Sequence, residues 1–280
     1  MKFGLHLSIS GGIENSIIKA KELNCDTFQI FVSNPRAWAE KYLENEEIEK
    51  FQITLKNSGI NEFVIHMPYL PNLASPDAIS YKKSINIFIK NLHYTKLLNA
   101  KFLVIHPGNS LDSSEEQAIN RVSNAINVGL SHSVSNSIVL IETTSGQGTE
   151  IGFTFKQIGE IIKRVKNKKR IGICIDTAHI FAAGYTFASQ KELEKITNEI
   201  DYYIGFDKVF LIHLNDAKVK EGSYIDRHQH LGEGTIGLNN LKRFLKYDKF
   251  SNQLCILETP KESDEDDKKN LAIARKLFYE

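Results

Sequence analysis

Six short apolar stretches of this chain finish on a group that can hold a proton or a metal ion. They read FVIH to His66, LVIH to His106, VLIE to Glu142, CID to Asp176, FLIH to His213 and CILE to Glu258. Taken singly, each has an ordinary explanation. An aspartate at a strand end usually starts a turn or caps the next helix, and one buried histidine is usually a satisfied core group. The set is different, because all six are His, Asp or Glu and all stand at the C-terminal ends of their runs. Brought together without counter-charge they would repel and desolvate one another. Lysine or arginine could neutralise them, but those ends supply none. Metal ions are the better answer. Imidazole and carboxylate without thiolate suit Zn²⁺, with Mn²⁺ or Fe²⁺ as substitutes.

Further ligands stand close by. His179 follows Asp176 by three residues and is expected on the turn leaving that strand. The segment DRHQHLGEG supplies Asp226 and His228, which can point the same way if the loop is extended. With His66, His106, Glu142, Asp176, His179, His213 and Glu258, these make nine candidates. At three to four ligands per ion, with a bridging carboxylate, nine suffice for about three metals. The other histidines weigh less. His6 faces inward by parity, as a support to the ligands or as core; His93 and His132 fall on helical patterns, and His230 neighbours the ligand loop without being expected to ligate.

The elements that must position these groups alternate from end to end. Strands are expected at Lys2–Ser8, Thr27–Ser33, Glu62–Met67, Phe102–Gly108, Ser137–Thr143, Ile171–Thr177, Val209–Asn215 and Leu254–Thr259. Helical patterns cover Asn15–Leu23, Glu46–Lys56, Ser75–Leu98, Ser114–Leu130, Phe155–Val165, Lys191–Tyr203, Leu238–Tyr247 and Asp264–Tyr279. Parallel strands need helical crossovers, so the pattern predicts a single (β/α)8 TIM barrel over residues 1–280. Its active site would lie at the C-terminal ends of the strands. A doubly wound open sheet would more often carry GxGxxG after its first strand, and SISGGIEN does not. Side-chain parity agrees with a barrel. His66 shares a face with Val64, His106 with Val104, Glu142 with Leu140, Asp176 with Cys174 and His213 with Leu211, so the polar groups form a top layer over an apolar filling.

Composition sets the frame. The chain has 280 residues, 41% hydrophobic and 25% charged, enough for a substantial core. No segment approaches the ~20 apolar residues that span a bilayer. MKFGLHLSISGG enters a strand-like alternation directly, with no signal or transit peptide. Cys25, Cys174 and Cys255 lie far apart without CxxC spacing, so neither disulfides nor thiolate zinc sites are expected. A cytoplasmic protein with no membrane association follows. The formal charge of +1 does not by itself advertise a nucleic-acid partner.

The motifs LHLSISGG, FVSNPRAW, HMPYLPNL, VIHPG, IETTSGQG, CIDTAHIFAAGY, HLNDAK, DRHQHLGEGTIG and ILET run in order along nearly the whole chain. With them the sequence resembles the endonuclease IV family of apurinic/apyrimidinic endonucleases. Ser33 stands where lysine is common in that family and Ala178 where many members have cysteine; neither is a ligand position. The resemblance implies three zinc ions per chain. One would be held by His66, His106 and a bridging Glu142, a second by Glu142, Asp176, His213 and Glu258, and a third by His179, Asp226 and His228. It implies hydrolysis of the phosphodiester 5′ to an abasic site in double-stranded DNA, leaving a 3′-hydroxyl, together with removal of blocked 3′ ends. Glu258 and Glu142 would be the catalytic carboxylates. Arg36, Tyr69 and Leu70 would wedge into the base stack, with Trp38 in the same loop as Arg36. The chain is expected to act as a monomer. Three Zn²⁺ would bring the formal +1 to about +7, so the loaded protein could draw DNA that the bare sequence would not. The rival is a metal-dependent sugar isomerase or epimerase of related barrel architecture, with one or two ions and a more carboxylate-rich mouth.

Overall fold

The computed structural model describes residues 1–33 and 43–280. From the first strand, β1 (Lys2–Leu7), the chain passes through α1 (Asn15–Glu22), β2 (Thr27–Phe31), α2 (Asn45–Ser58), β3 (Val64–His66) and α3 (Ala78–Leu97). The middle comprises β4 (Phe102–Ile105), α4 (Glu115–His132), β5 (Ile138–Glu142), α5 (Phe155–Arg164), β6 (Ile171–Asp176), α6 (Thr177–Ala182) and α7 (Gln190–Tyr203). The last third holds β7 (Val209–His213), β8 (Asp216–Ala217), β9 (His228–Gln229), α8 (Leu238–Leu245), β10 (Leu254–Leu257) and α9 (Asp264–Tyr279). Eight of these strands, all but β8 and β9, close a parallel barrel in which β1 pairs with both β2 and β10. The (β/α)8 barrel expected from the alternation is the fold.

Strands such as IVLIE and IGICID are apolar on both faces because parallel strands are covered on both. The inward face carries Val64, Val104, Leu140, Cys174 and Leu211, joined by Phe102, Leu254 and Ile256 in one buried cluster. These include all five residues that parity put beneath the polar layer. The outward face, with Phe28, Ile65, Leu103, Ile141 and Ile212, packs on helix residues such as Ile126, Ile158 and Leu241. Helix starts are marked as the sequence suggests. Asp77 accepts from the Ser80 N–H at 2.7 Å, and Ser114 and Ser189 form capping boxes with Gln117 and Glu192.

Three local features depart from expectation. The ladder ends one residue before His106 and one before Glu258, so these two open the loops rather than close the strands. His179 does not lie on a turn but on α6, whose first turn Asp176 caps. The segment around His228 is not merely an extended loop, because β9 pairs antiparallel with β8 immediately beyond β7. Cys25, Cys174 and Cys255 are free and buried. Among the described residues, no helix is long and apolar enough to cross a membrane.

Candidate metal centre

Glu142, fully buried at the end of β5, is the hub. Its Oε2 lies 2.9 Å from His66 Nε2 and 3.0 Å from His106 Nε2, and its Oε1 2.9 Å from His213 Nδ1. The protonation of these rings can be read from their outer nitrogens. His66 Nδ1 stands 2.6 Å from the Met67 carbonyl oxygen, which can only accept, so Nδ1 carries the proton. Burial lowers the pKa of His66 and keeps the ring neutral. Its Nε2 therefore turns a lone pair toward a carboxylate, a repulsive pairing unless a cation sits between.

The second cluster makes the same demand more sharply. His179 Nδ1 lies 2.8 Å from the Thr143 carbonyl oxygen and His228 Nδ1 3.2 Å from that of Glu258. In each ring Nδ1 is thus the outward donor and Nε2 the inward atom, and the two Nε2 atoms face each other at 3.3 Å. Asp226 Oδ1 lies 3.2 Å from the first and 3.7 Å from the second, and Asp176 Oδ2 3.5 Å from His228 Nε2. Burial opposes a charge on His179 and on His213, but Asp176 and Asp226 beside the first, and Cys174 with Glu258 and Glu142 beside the second, outweigh it and raise both well above the ordinary histidine value. Burial would likewise push the Asp226 carboxyl up, yet His179 and His228 hold it far below its usual range. The carboxylates call for positive charge, as protons or as metal.

In the third cluster His213 Nδ1 faces Glu142 Oε1 and, at 3.2 Å, Glu258 Oε2, with Asp176 beside them. Burial works against ionising Glu258, but His213 and then His6 hold its carboxyl well below the usual range. Donor atoms fall within 4.8 Å of one another in three groups: His66, His106 and Glu142; Asp176, His179 and His228; and Glu142, Asp176, His213 and Glu258. An ion bound tetrahedrally at about 2.1 Å holds its ligand atoms about 3.4 Å apart, close to the spacings here. Among the described residues no lysine or arginine pairs with these carboxylates. The donor set fits divalent metal.

All nine sequence-derived candidates meet at the mouth. Asp226 joins by its contacts with His179 and His228, and Asp176 borders two groups at once. Several supporting residues had drawn no notice. Gln29 on β2 contacts His213, Glu258 and His6. Asn215 donates to Asp176 Oδ2 at 2.7 Å and accepts the Glu258 N–H at 2.8 Å. Buried Asp216 accepts N–H groups of Ala217, Gly232, Gly234, Ile236 and Gly237, tying β8 to the glycine-rich loop after β9. The sequence held one signal for them: a lone polar residue in an apolar run, as in TFQIF, or directly after one, as in HLND. His6 sits 3.3 Å from Glu258, so of its two readings the supporting one holds. His93 and His132 are exposed, and His230 Nδ1 takes a hydrogen bond from Asn270.

Above the centre opens a cavity of about 320 Å³, flanked by His66, His106, His179, His228, Glu258 and Tyr69. Tyr69 is 49% exposed on its rim, its ring edge-on to Phe31, and Leu70 is half-buried. Arg36 and Trp38 lie outside the described residues.

A family model described as a xylose isomerase-like TIM barrel matches residues 17–279. A probable endonuclease 4 of Nitrosopumilus maritimus is 38% identical over 99% of this chain and 100% of its own length. Its counterpart in Methanosphaerula palustris is also 38% identical, over 99% of this chain and 98% of its own. The crystal structure of endonuclease IV from Thermus thermophilus superposes with a TM-score of 0.86 at 31% identity, covering 99% of this chain and 98% of that one. The chain belongs to the endonuclease IV family. As a member of the endonuclease IV family it is an enzyme, a hydrolase of the nuclease kind. A D-psicose 3-epimerase also superposes, with a TM-score of 0.74 over 99% of both chains, but at 16% identity it shares the barrel alone. The endonuclease IV family is thus set apart from the sugar epimerases by sequence over its full length, not by architecture.

Proposed function

We propose that this protein is a zinc-dependent repair nuclease that hydrolyses the phosphodiester 5′ to abasic sites in double-stranded DNA and leaves a 3′-hydroxyl. Removal of blocked 3′ ends would be its second activity. The observation that carries this reading is the cluster of nine imidazoles and carboxylates at the barrel mouth of an endonuclease IV family chain, its carboxylates paired with no lysine or arginine among the described residues. Three Zn²⁺ would be held by His66, His106 and Glu142; by Glu142, Asp176, His213 and Glu258; and by His179, Asp226 and His228, with Asp176 bordering the last set. When bound, such ions neutralise the phosphodiester, acidify water and stabilise attacking and leaving oxygens.

The chain's own groups prepare for this. The Met67, Thr143 and Glu258 carbonyls hold Nδ1 of His66, His179 and His228 as the outward donor, so each Nε2 is aimed inward before any ligand arrives. Glu258 lines the cavity, where it can orient the attacking water and take its proton. Tyr69 and Leu70, with Arg36 and Trp38 from the neighbouring loop, would wedge into the duplex. An abasic nucleotide has no base to unstack, which makes its extrusion cheap and the site selective.

The test is incision of a duplex carrying one abasic site, before and after chelation and on return of zinc. We expect loss and recovery of a single cut 5′ to the lesion, with about three zinc ions per chain at full activity. One or two ions, with turnover of a ketose in place of DNA, would give the site to the epimerase class.

A further inference from the structure

The inner face of β2 carries a glutamine where apolar filling is the rule. Gln29 is fully buried, and both ends of its amide engage the centre. Oε1 lies 2.9 Å from His213 Nε2, while Nε2 lies 2.6 Å from Glu258 Oε1 and 2.9 Å from His6 Nδ1. The orientation of the amide is forced. A carboxylate only accepts, so the nitrogen must face Glu258; the reverse orientation would set oxygen against oxygen. The amide oxygen then faces His213 Nε2, which must carry the ring proton. Only in that tautomer does His213 Nδ1 offer a lone pair toward Glu142 and Glu258. The same amide engages Glu258 Oε1 and leaves Oε2 for the side of His213.

We propose that Gln29 is a positioning residue, selecting the metal-binding tautomer of His213 and the one oxygen that Glu258 offers to the same ion. The inference rests on the reading that Glu142, Asp176, His213 and Glu258 hold a divalent ion. Gln29 does not line the cavity, and acts on two proposed ligands that arrive from β7 and from the end of β10. Partners of this kind set affinity at their own site, by about 10–100-fold.

The experiment is a stepwise zinc titration against a competing chelator, on the full chain, for wild type, Gln29→Leu and Gln29→Glu. Gln29→Leu keeps the volume and removes all three contacts; one zinc should weaken by about 10–100-fold while the others hold. Gln29→Glu keeps the acceptor for His213 but sets a carboxylate against Glu258, so it should rescue the tautomer without rescuing the affinity. Imidazole ¹⁵N–¹H spectra of the zinc-loaded protein read the tautomer directly. Wild type and Gln29→Glu should show a protected Nε2–H on His213, and Gln29→Leu should lose that protection. In turnover the loss should fall on kcat with KM for DNA little changed.

Wild-type His213 protonated at Nδ1, or unchanged stepwise affinities in Gln29→Leu, would overturn the proposal. So would equal weakening of every ion together with a lowered melting temperature of the metal-free variant, which would mark a packing role. The titration and spectra use no DNA. Wild type that fails on abasic duplex but shows the Gln29 effect would sink the repair reading alone, whereas wild type that binds no ion at these four side chains would overturn both.

Discussion

Asp176 shows how one side chain can satisfy two explanations that look exclusive in sequence. Its Oδ1 caps α6 by accepting the His179 N–H at 2.8 Å, as strand-end aspartates usually do. Its Oδ2 faces Asn215 and His228 on the side of the centre. The three-residue spacing to His179 is therefore one turn of capped helix that brings the imidazole back over the strand end. His179→Ala keeps the cap and removes one ligand, so the fold should persist, zinc should fall to about two per chain, and incision should drop by orders of magnitude. Metal analysis beside an incision assay checks this; three tightly held ions in the variant would refute it. Asp176→Ala should cost about 1 kcal/mol of cap energy in addition and disturb both neighbouring ions, because its donors border two groups. Glu258→Gln keeps size and shape but loses the charge. Incision should fall at least about 100-fold while binding of abasic duplex survives, and near wild-type cleavage would remove Glu258 from the reactive centre.

Among the elements, the β8–β9 pair decides whether the second cluster exists at all. It carries His228, holds Asp226 in the connection between its strands, and is anchored by one carboxylate, Asp216, through five backbone N–H groups. Gly234 belongs to this anchorage, since a Cβ there would come within 2.3 Å of Asp216 Oδ1. Asp216→Ala leaves buried donors without an acceptor, a loss of about 3–5 kcal/mol by the usual cost of breaking a buried charged network. The variant should melt lower and lose the ion of His179, Asp226 and His228 before the others, which calorimetry with zinc analysis would detect. Asp216→Asn, keeping one acceptor oxygen, should fall between. The strand ends were legible in sequence because an ionisable residue closing an apolar run is a local signal, and parity then put Val64, Val104 and Leu140 beneath it. Gln29, Asn215 and Asp216 escaped for the opposite reason. The partner that explains Gln29 lies 229 residues away, and two-residue strands such as β8 and β9 have no period to read. α6 is likewise too short, and too apolar throughout, to display a helical face.

At the scale of the molecule, metal and protons compete for the same carboxylates. Without ions, burial opposes ionisation of Glu142 and Glu258, but the surrounding imidazoles hold both well below the carboxylate range, and His179 and His213 lie well above the histidine value. A depressed carboxyl stabilises the fold above its unfolded value and loses that contribution as pH falls through the folded one. A raised imidazole stabilises it below about pH 6.5 and loses that contribution as pH rises through the folded value. The chelated protein should therefore lose stability on the alkaline side of neutrality, where the zinc-loaded protein does not, its ions standing in for the protons. Melting curves at about pH 6 and about pH 9, with and without zinc, give the comparison. Equal pH dependence in the two forms would contradict it.

The pairing of β1 with β10 bears on the protein's synthesis. The proposed ligands are drawn from the ends of β3, β4, β5, β6, β7 and β10 or the segments beyond them, from His66 to Glu258, and the barrel that brings them together stays open until β10 docks between β1 and β7. Contacts of such long sequence separation form late, because the closure entropy of the whole chain must be met first. A chain made only as far as β9 therefore carries most of the proposed ligands but neither Glu258 nor the strand that seals the ring. A nuclease so arranged should stay inactive until β10 has been made and has docked, which would keep its half-made forms harmless to DNA.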